Sequence, residues 1–317
     1  MIQKKSLKIA FRVSVTLLLL AFLLKAISWS TLLITLTHVQ PVILSLGLAV
    51  GVLGLIVSAF QWQVILKAEE IHVALFRLVK LYLVGLGFSH FLPTGMGGDL
   101  LKAFYVGRDS GKGAASVSAV IMTRITGFLG MLLLAIPALI LWHEYFTKNV
   151  IVWFVLLSLG ITSLIGGAVF VAHLVSRFPT GGRTVPHALA SMMRIGEAIS
   201  VSARRPRSLW TAMLIGLILW VVMCLNYYSY GVSLGIQLPL YFYFVAIPLV
   251  SLVTLLPISI NGFGVRETFF VYVFSTVHVP AASSLLLVFL MDLQVLLSGV
   301  IGGCLYLTFS SKANIAK

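Results

Sequence analysis

Apolar residues run along this chain in blocks too long and too even for soluble helices. From Val13 to Leu24, and again through 41–66, 115–142, 150–175, 209–235 and 283–309, apolar side chains occupy nearly every position. A helix apolar all round has no polar face to offer water, and about 20 such residues cross a bilayer. The blocks predict six full spans, the first over about 11–29. That first block follows Lys4, Lys5, Lys8 and Arg12 in the manner of a signal peptide. No small-residue cleavage site follows Lys25, so a retained helix is expected. Between the blocks the polar segments are short, apart from 176–208. There, Leu189, Met192, Met193, Ile195 and Ile199 line one side of Ala188–Ala203, opposite Arg194 and Glu197. That pattern predicts an amphipathic helix on the inner membrane surface. Arg204, Arg205 and Arg207 follow it as orientation signals or as contacts for anionic headgroups.

Two stretches fit no simple span. In 71–108 the apolar run Leu81–Leu92 is broken by Pro93-Thr94-Gly95-Met96-Gly97-Gly98-Asp99. Arg77 and Lys80 precede it, and Lys102 and Arg108 follow. Both ends therefore read as cytoplasmic, and the segment as re-entrant. In 240–278 the apolar run from Tyr241 is broken by Pro257-Ile258-Ser259-Ile260-Asn261-Gly262-Phe263-Gly264-Val265-Arg266-Glu267, then resumes from Thr268 to Val277. Its flanks carry no Lys or Arg, which places them on the other side. Two ordinary spans would give the same parity. The breaks resemble each other: Leu92-Pro93 matches Leu256-Pro257, Gly95-Met96-Gly97 matches Gly262-Phe263-Gly264, and Tyr105-Val106 falls on Tyr272-Val273. Paired Gly/Pro interruptions in opposed halves point to an inverted-repeat transporter with its substrate site at the breaks.

Composition excludes the soluble alternatives. Of 317 residues, 60% are hydrophobic and 9% charged, and the mean hydropathy is +1.10. Soluble proteins are about one-quarter charged. The net charge of +14 would suggest nucleic acid in a soluble protein, but here it reports topology. Eighteen Lys and Arg fall on the side of the N-terminus, and only Lys25 and Lys148 on the other. The positive-inside rule then puts both termini in the cytoplasm. Cys224 and Cys304 lie in separate apolar runs, as small core residues without a disulfide framework. Gly47/Gly51, Gly231/Gly235 and Gly299/Gly303 predict close helix packing. Trp220, Asn226, Tyr227, Tyr228 and Tyr230 read as interface anchoring and packing. The fold expected is an all-α polytopic membrane protein: six full spans plus two broken or re-entrant hairpins in an inverted repeat, six to eight spans in all. It forms a single integral membrane domain, with a first half 1–175, a basic loop 176–208 and a second half 209–317.

The candidate chemistry sits at the breaks. Interrupted backbone at membrane depth survives only inside protein or along a wet cavity. Helices restarting at about Gly98 and Gly264 offer free N–H groups and a positive dipole end, and glycines let an anion approach. Arg124 and Asp292 each lie ten residues into a span, and ionisable residues so placed are functional candidates by default. The substrate-binding set is Pro93, Gly95, Gly97, Gly98, Asp99, Lys102, Arg124, Pro257, Asn261, Gly262, Gly264, Arg266, Glu267 and Asp292. Arg124 and Arg266 are expected to hold a phosphate from a central cavity. Asp99, Glu267 and Asp292 would pair them when the site is empty, or carry a coupled proton. The alternative is a set of structural ion pairs. No catalytic, metal or nucleotide motif stands out, and no cofactor is expected.

The segments Phe91–Asp99, Thr123-Arg124-Ile125-Thr126-Gly127 and Pro257–Glu267 resemble the lysylphosphatidylglycerol synthase transmembrane (flippase-like) family, over nearly the whole chain and in the same order. The resemblance implies a bacterial inner-membrane domain that handles or flips anionic or aminoacylated lipids, or polyprenyl-phosphate-linked ones. In larger relatives a separate cytoplasmic domain makes the aminoacyl-lipid. This chain stops at Lys317, so no synthase domain is expected. A lipid translocase is the leading expectation, non-enzymatic, with membrane lipids as partners. An envelope-lipid synthase or glycosyltransferase and a homodimer complete the partner list, and nucleic acid is excluded. An integral-membrane lipid glycosyl- or phosphotransferase and a non-catalytic scaffold are the alternatives.

Overall fold

The computed structural model describes residues 40–91, 97–177, 196, 205–256, 259 and 262–313. In chain order the helices are α1 (Pro41–Ala68), α2 (Leu75–Phe91), α3 (Gly97–Ser110), α4 (Gly113–Leu141), α5 (Lys148–Arg177), α6 (Pro206–Ser233), α7 (Leu240–Thr254), α8 (Val265–Ser275) and α9 (Ala281–Ala313), with a 3₁₀ turn at His143–Tyr145. No strand occurs among the described residues. Pro41 and Pro206 open α1 and α6 in the first turn, where a missing N–H costs nothing. α1, α4, α5, α6 and α9 are each long and apolar enough to cross a membrane. They match five of the six expected spans. The sixth, 11–29, and the amphipathic helix 188–203 lie outside the described residues, apart from helical, buried Gly196.

The two interrupted stretches are helical hairpins, α2/α3 and α7/α8. Their four helices have 17, 14, 15 and 11 residues, or about 16 to 26 Å at 1.5 Å per residue. The hydrocarbon core is about 30 Å thick. As described, all four are shorter than a typical span of about 20 residues, and the outer ends of each hairpin lie side by side. Arg77 beside Asp109 joins the two ends of α2/α3. Phe242 and Phe274 rings, 5.2 Å apart, join the ends of α7/α8.

The hairpins enter from opposite ends of the bundle. At one end, Glu70 in the α1–α2 connection meets Lys112 and Arg205, which precede α4 and α6. At the other, the Gln40 N–H donates to Ser233 O (3.1 Å), and Trp142 stacks on Tyr241 at 4.7 Å. The same contacts show that α1 and α6 run antiparallel. A Cβ on Gly47 would meet Tyr230, one on Gly54 would meet Val222, and Gln61 Nε2 donates to Ala212 O at 3.0 Å. The largest core cluster surrounds α7, from which Phe242, Tyr243, Val245, Ala246, Leu249 and Leu252 are buried. A short helix apolar on every side is stable only when enclosed, and α4, α5, α6 and α8 enclose it.

Helix packing corrects two glycine assignments. Gly235 lies past the end of α6 with φ +75°, and a Cβ there would touch nothing within 4 Å. Ile236 N–H donates to Gly231 O and Gly235 N–H to Val232 O. This is a Schellman end, in which glycine supplies the left-handed conformation rather than a packing surface. Gly303 likewise faces open space; Gly302, one residue earlier, meets Leu83 O. The helix period of 3.6 selects Gly299 and Gly302 as the face toward α2. Cys224 is buried as expected, whereas Cys304 is exposed.

Candidate functional site

The charged residues of the two breaks gather into two clusters, one per hairpin. At the first, α3 begins at Gly97 and carries Asp99 in its opening turn. Gly98 N–H donates to Ser89 Oγ at 3.1 Å, and a Cβ on Gly98 would lie 2.2 Å from Gly85 O. Only glycine lets the two arms approach so closely. Asp99 accepts from Lys102 Nζ at 2.8 Å and from Arg124 Nη2 at 2.6 Å. Lys102 is buried beneath the ring of Tyr82, 3.6 Å from its centroid, with Trp62 at 5.5 Å. The Asp99 side chain is 13% exposed and the Arg124 side chain 71%. The cluster has two cations and one anion, and its excess charge lies on the exposed guanidinium.

The second cluster has the opposite balance. Arg266 Nη2 donates to Glu267 Oε1 and to Asp292 Oδ2, each at 2.5 Å. Glu267 is 1% exposed, and its other oxygen accepts the Gly264 N–H at 2.5 Å. That bond caps α8 from within. Gly264 itself has φ +82°. The N-terminus of α8 is thus already matched to a carboxylate of its own chain. It does not offer the free anion site that the glycine pattern suggests.

Of the sequence-predicted set, Asp99, Lys102 and Arg124 meet at the first hairpin, with Gly97 and Gly98 beside them. Gly264, Arg266, Glu267 and Asp292 meet at the second. Gly262 (φ +78°) packs toward Thr254 and is a turn residue. Arg124 and Arg266 belong to different clusters rather than to one shared phosphate grip. Pro93, Gly95, Pro257 and Asn261 lie outside the described residues.

Polar groups passed over in the sequence lie on or bond to the same two long helices as these clusters. Gln61 Nε2 donates to Thr126 Oγ1 (3.2 Å), two residues along α4 from Arg124. Gln294, two residues along α9 from Asp292, accepts from Asn226 Nδ2 (3.0 Å) and Tyr230 Oη (2.9 Å) and donates to Leu48 O (3.2 Å). Uncharged amides in apolar spans were the available signal. The aromatic set on α6 is packed into the protein. Trp220 Nε1 donates to Gly127 O at 3.0 Å, Tyr227 stacks on Phe270, and Tyr228 meets Tyr243. At the open end of the first hairpin, Glu70, His72, Arg77, Asp109, Ser110 and Lys112, with Ile71, Val73 and Val106, line a cavity of about 270 Å³.

Five apolar helices long enough to span, two hairpins entering from opposite ends, and a charged cluster on each define a polytopic α-helical membrane protein of the broken-hairpin kind. The chain belongs to the lysylphosphatidylglycerol synthase transmembrane-region family, which it matches over residues 9–303. No curated protein and no solved structure matches it.

Proposed function

We propose that this protein translocates a phosphate-bearing lipid between leaflets, with Arg124 at the first hairpin as the headgroup ligand. One observation carries the reading. Arg124 is the twelfth residue of an apolar 29-residue helix, yet its side chain is 71% exposed. A guanidinium about 16 Å along a spanning helix costs several kcal/mol against hydrocarbon unless water or an anion meets it. Asp99 does not consume that charge, because Lys102 already balances it. The remaining donors of the guanidinium match a phosphate, which it binds through two parallel N–H···O bonds. The lipid's acyl chains stay in the bilayer beside α3 and α4, where Leu100, Phe104 and Leu133 are exposed.

Leaflet-resolved movement in proteoliposomes tests this. Labelled phosphatidylglycerol, lysyl-phosphatidylglycerol and a polyprenyl phosphate are compared in wild type, Arg124→Gln and Arg124→Lys. Losing a charged hydrogen-bonding group costs about 1.5–3 kcal/mol, so Gln should slow movement by about 10- to 100-fold. Lys, a point charge without the planar fork, should fall between. Wild-type rates in Arg124→Gln would overturn the assignment, and no movement of any lipid by folded wild type would overturn translocation itself.

A further inference from the structure

The charged clusters occupy matching positions in two halves of the chain. α1 and α6 are both 28 residues long. Gln61 is the twenty-first residue of α1 and Asn226 the twenty-first of α6; each hydrogen-bonds the fourteenth residue of the long helix that follows its own half's hairpin, Thr126 in α4 and Gln294 in α9. Trp62 and Tyr227, the next residues, face the sixth residue of each hairpin's second helix, Lys102 and Phe270. Gly51 and Gly216, the eleventh residues, make room for amides of the opposite half. A Cβ on Gly51 would lie 1.5 Å from Gln294 Nε2, and one on Gly216 would lie 2.9 Å from Gln61 Nε2. Arg124 and Asp292 are both twelfth in their helices, and both are ion-paired to the opening turn of the second helix of the hairpin before them. Since α1 and α6 are antiparallel, the copies are inverted.

The halves also interlock. The first hairpin packs α2 on α9 and α3 on α4; the second packs α7 on α4 and α8 on α9. Both hairpins therefore bridge the same two long helices, and they do so from opposite ends. If α4 tilts against α9, the gap between them widens at one end and narrows at the other. We propose that the Asp99–Arg124 and Arg266–Asp292 contacts are two reciprocal gates: releasing one hairpin from its long helix tightens the other. Both contacts are made in this structure, which is thus the doubly closed state. The polarity is reversed between gates, with the long helix cationic in one and anionic in the other. An anionic headgroup therefore competes for Arg124 at the first gate and is repelled by Asp292 and Glu267 at the second. The gating role rests on the translocation reading, but its test requires no lipid movement.

The test uses single-cysteine reporters in a Cys224→Ala, Cys304→Ala background: Ala103→Cys in α3 and Val273→Cys in α8, at positions buried in wild type. The rate of labelling by a small water-soluble thiol reagent is read in membranes. Arg124→Gln should raise labelling at position 103 about tenfold, the equivalent of one lost charged hydrogen bond, and lower it at position 273. Asp292→Asn should do the reverse. Arg124→Lys and Asp292→Glu, which keep the tethers, should stay near wild type, and the double variant Arg124→Gln, Asp292→Asn should restore the wild-type ratio of the two rates. A rise confined to the mutated hairpin, or a rise at both positions in either single variant, overturns the proposal. Reciprocal labelling without lipid movement would keep the gates and reject translocation; movement without reciprocity would do the opposite.

Discussion

A single methyl group separates two neighbouring glycines of α9. The Cβ of an alanine at Gly302 would sit 1.9 Å from Leu83 O, a backbone atom that cannot turn aside, whereas one at Gly303 would meet nothing. Gly302→Ala should push α2 from α9 and cost on the order of 1–3 kcal/mol, and Gly303→Ala should be neutral within about 0.5 kcal/mol. Thermal unfolding in detergent distinguishes them, and equal melting temperatures would contradict the α2–α9 contact. The sequence showed a Gly-xxx-Gly pair but not which phase of the helix faces a neighbour, since lipid and protein are equally apolar surroundings. Charge was easier to read. Arg124, Asp99, Arg266, Glu267 and Asp292 stood out because membrane helices rarely carry such residues without a partner. Their pairing depended on which long helix each hairpin leans on, a fact of tertiary packing alone. Outside the membrane, burial pushes the Glu69 carboxyl above its usual value, although Arg205 and Lys112 pull it down. The native state then holds this proton more tightly than the unfolded chain. Stability from this group is fully present below the ordinary carboxylate pKa, about 4.3, and is lost as pH rises through the raised native value. Glu69→Gln should gain in melting temperature relative to wild type between pH 4 and 7, and a constant difference across that range would refute the assignment.

The first hairpin depends on a buried lysine to keep its arginine available. Lys102 is 6% exposed, held under Tyr82, and ion-paired to Asp99. Burial strengthens the pair by lowering the local dielectric, and the aromatic ring adds a cation–π contact. Lys102→Met fills the same space but removes the charge. Asp99 then keeps only Arg124, whose guanidinium is drawn into that pair and away from a phosphate. The expected result is about tenfold weaker lipid dependence, the scale of one charged hydrogen bond. The fold should be retained, because Asp99 still has a partner. Half-saturating lipid concentration in the transport assay and the melting temperature together decide the point. A large loss of melting temperature would make Lys102 a structural residue instead. The Pro and Gly of the break predicted an interrupted helix with an open N-terminus; α3 does begin at the break, and its Gly98 N–H is already bonded to Ser89 Oγ. The same pattern misled at α8, where Glu267 turns back onto Gly264. A carboxylate three residues after glycine is the spacing of a capping box, so this closure was readable from Gly264-Val265-Arg266-Glu267.

The two ends of the whole molecule differ in charge and in aromatic content. Glu69, Glu70, Arg77, Arg108, Asp109, Lys112 and Arg205 lie near one end, joined by ion pairs from Arg77 to Asp109 and from Glu70 to Lys112 and Arg205. The opposite end is aromatic, with Trp142 and Tyr145 against Tyr241. Basic residues stay on the cytoplasmic side, so we propose that the charged end faces the cytoplasm. In that orientation the first hairpin would open inward and the second outward. Arg124 lies about 16 Å from the basic end of α4, which in that orientation would put it on the inner half of the membrane. A phospholipid would meet it from the inner leaflet first. Exposed His72, at the charged end, and exposed Glu144, at the aromatic end, allow a direct check. With Cys304→Ala removing the exposed native thiol, His72→Cys should react with a membrane-impermeant maleimide only in inverted vesicles. Glu144→Cys should react only in intact cells. The reverse pattern would put Arg124 on the outer half and make the outer leaflet the loading side. Reaction of both positions from one side would break the opposed-hairpin arrangement, because the contacts of Glu70 and Tyr241 put those two connections at opposite ends of the bundle.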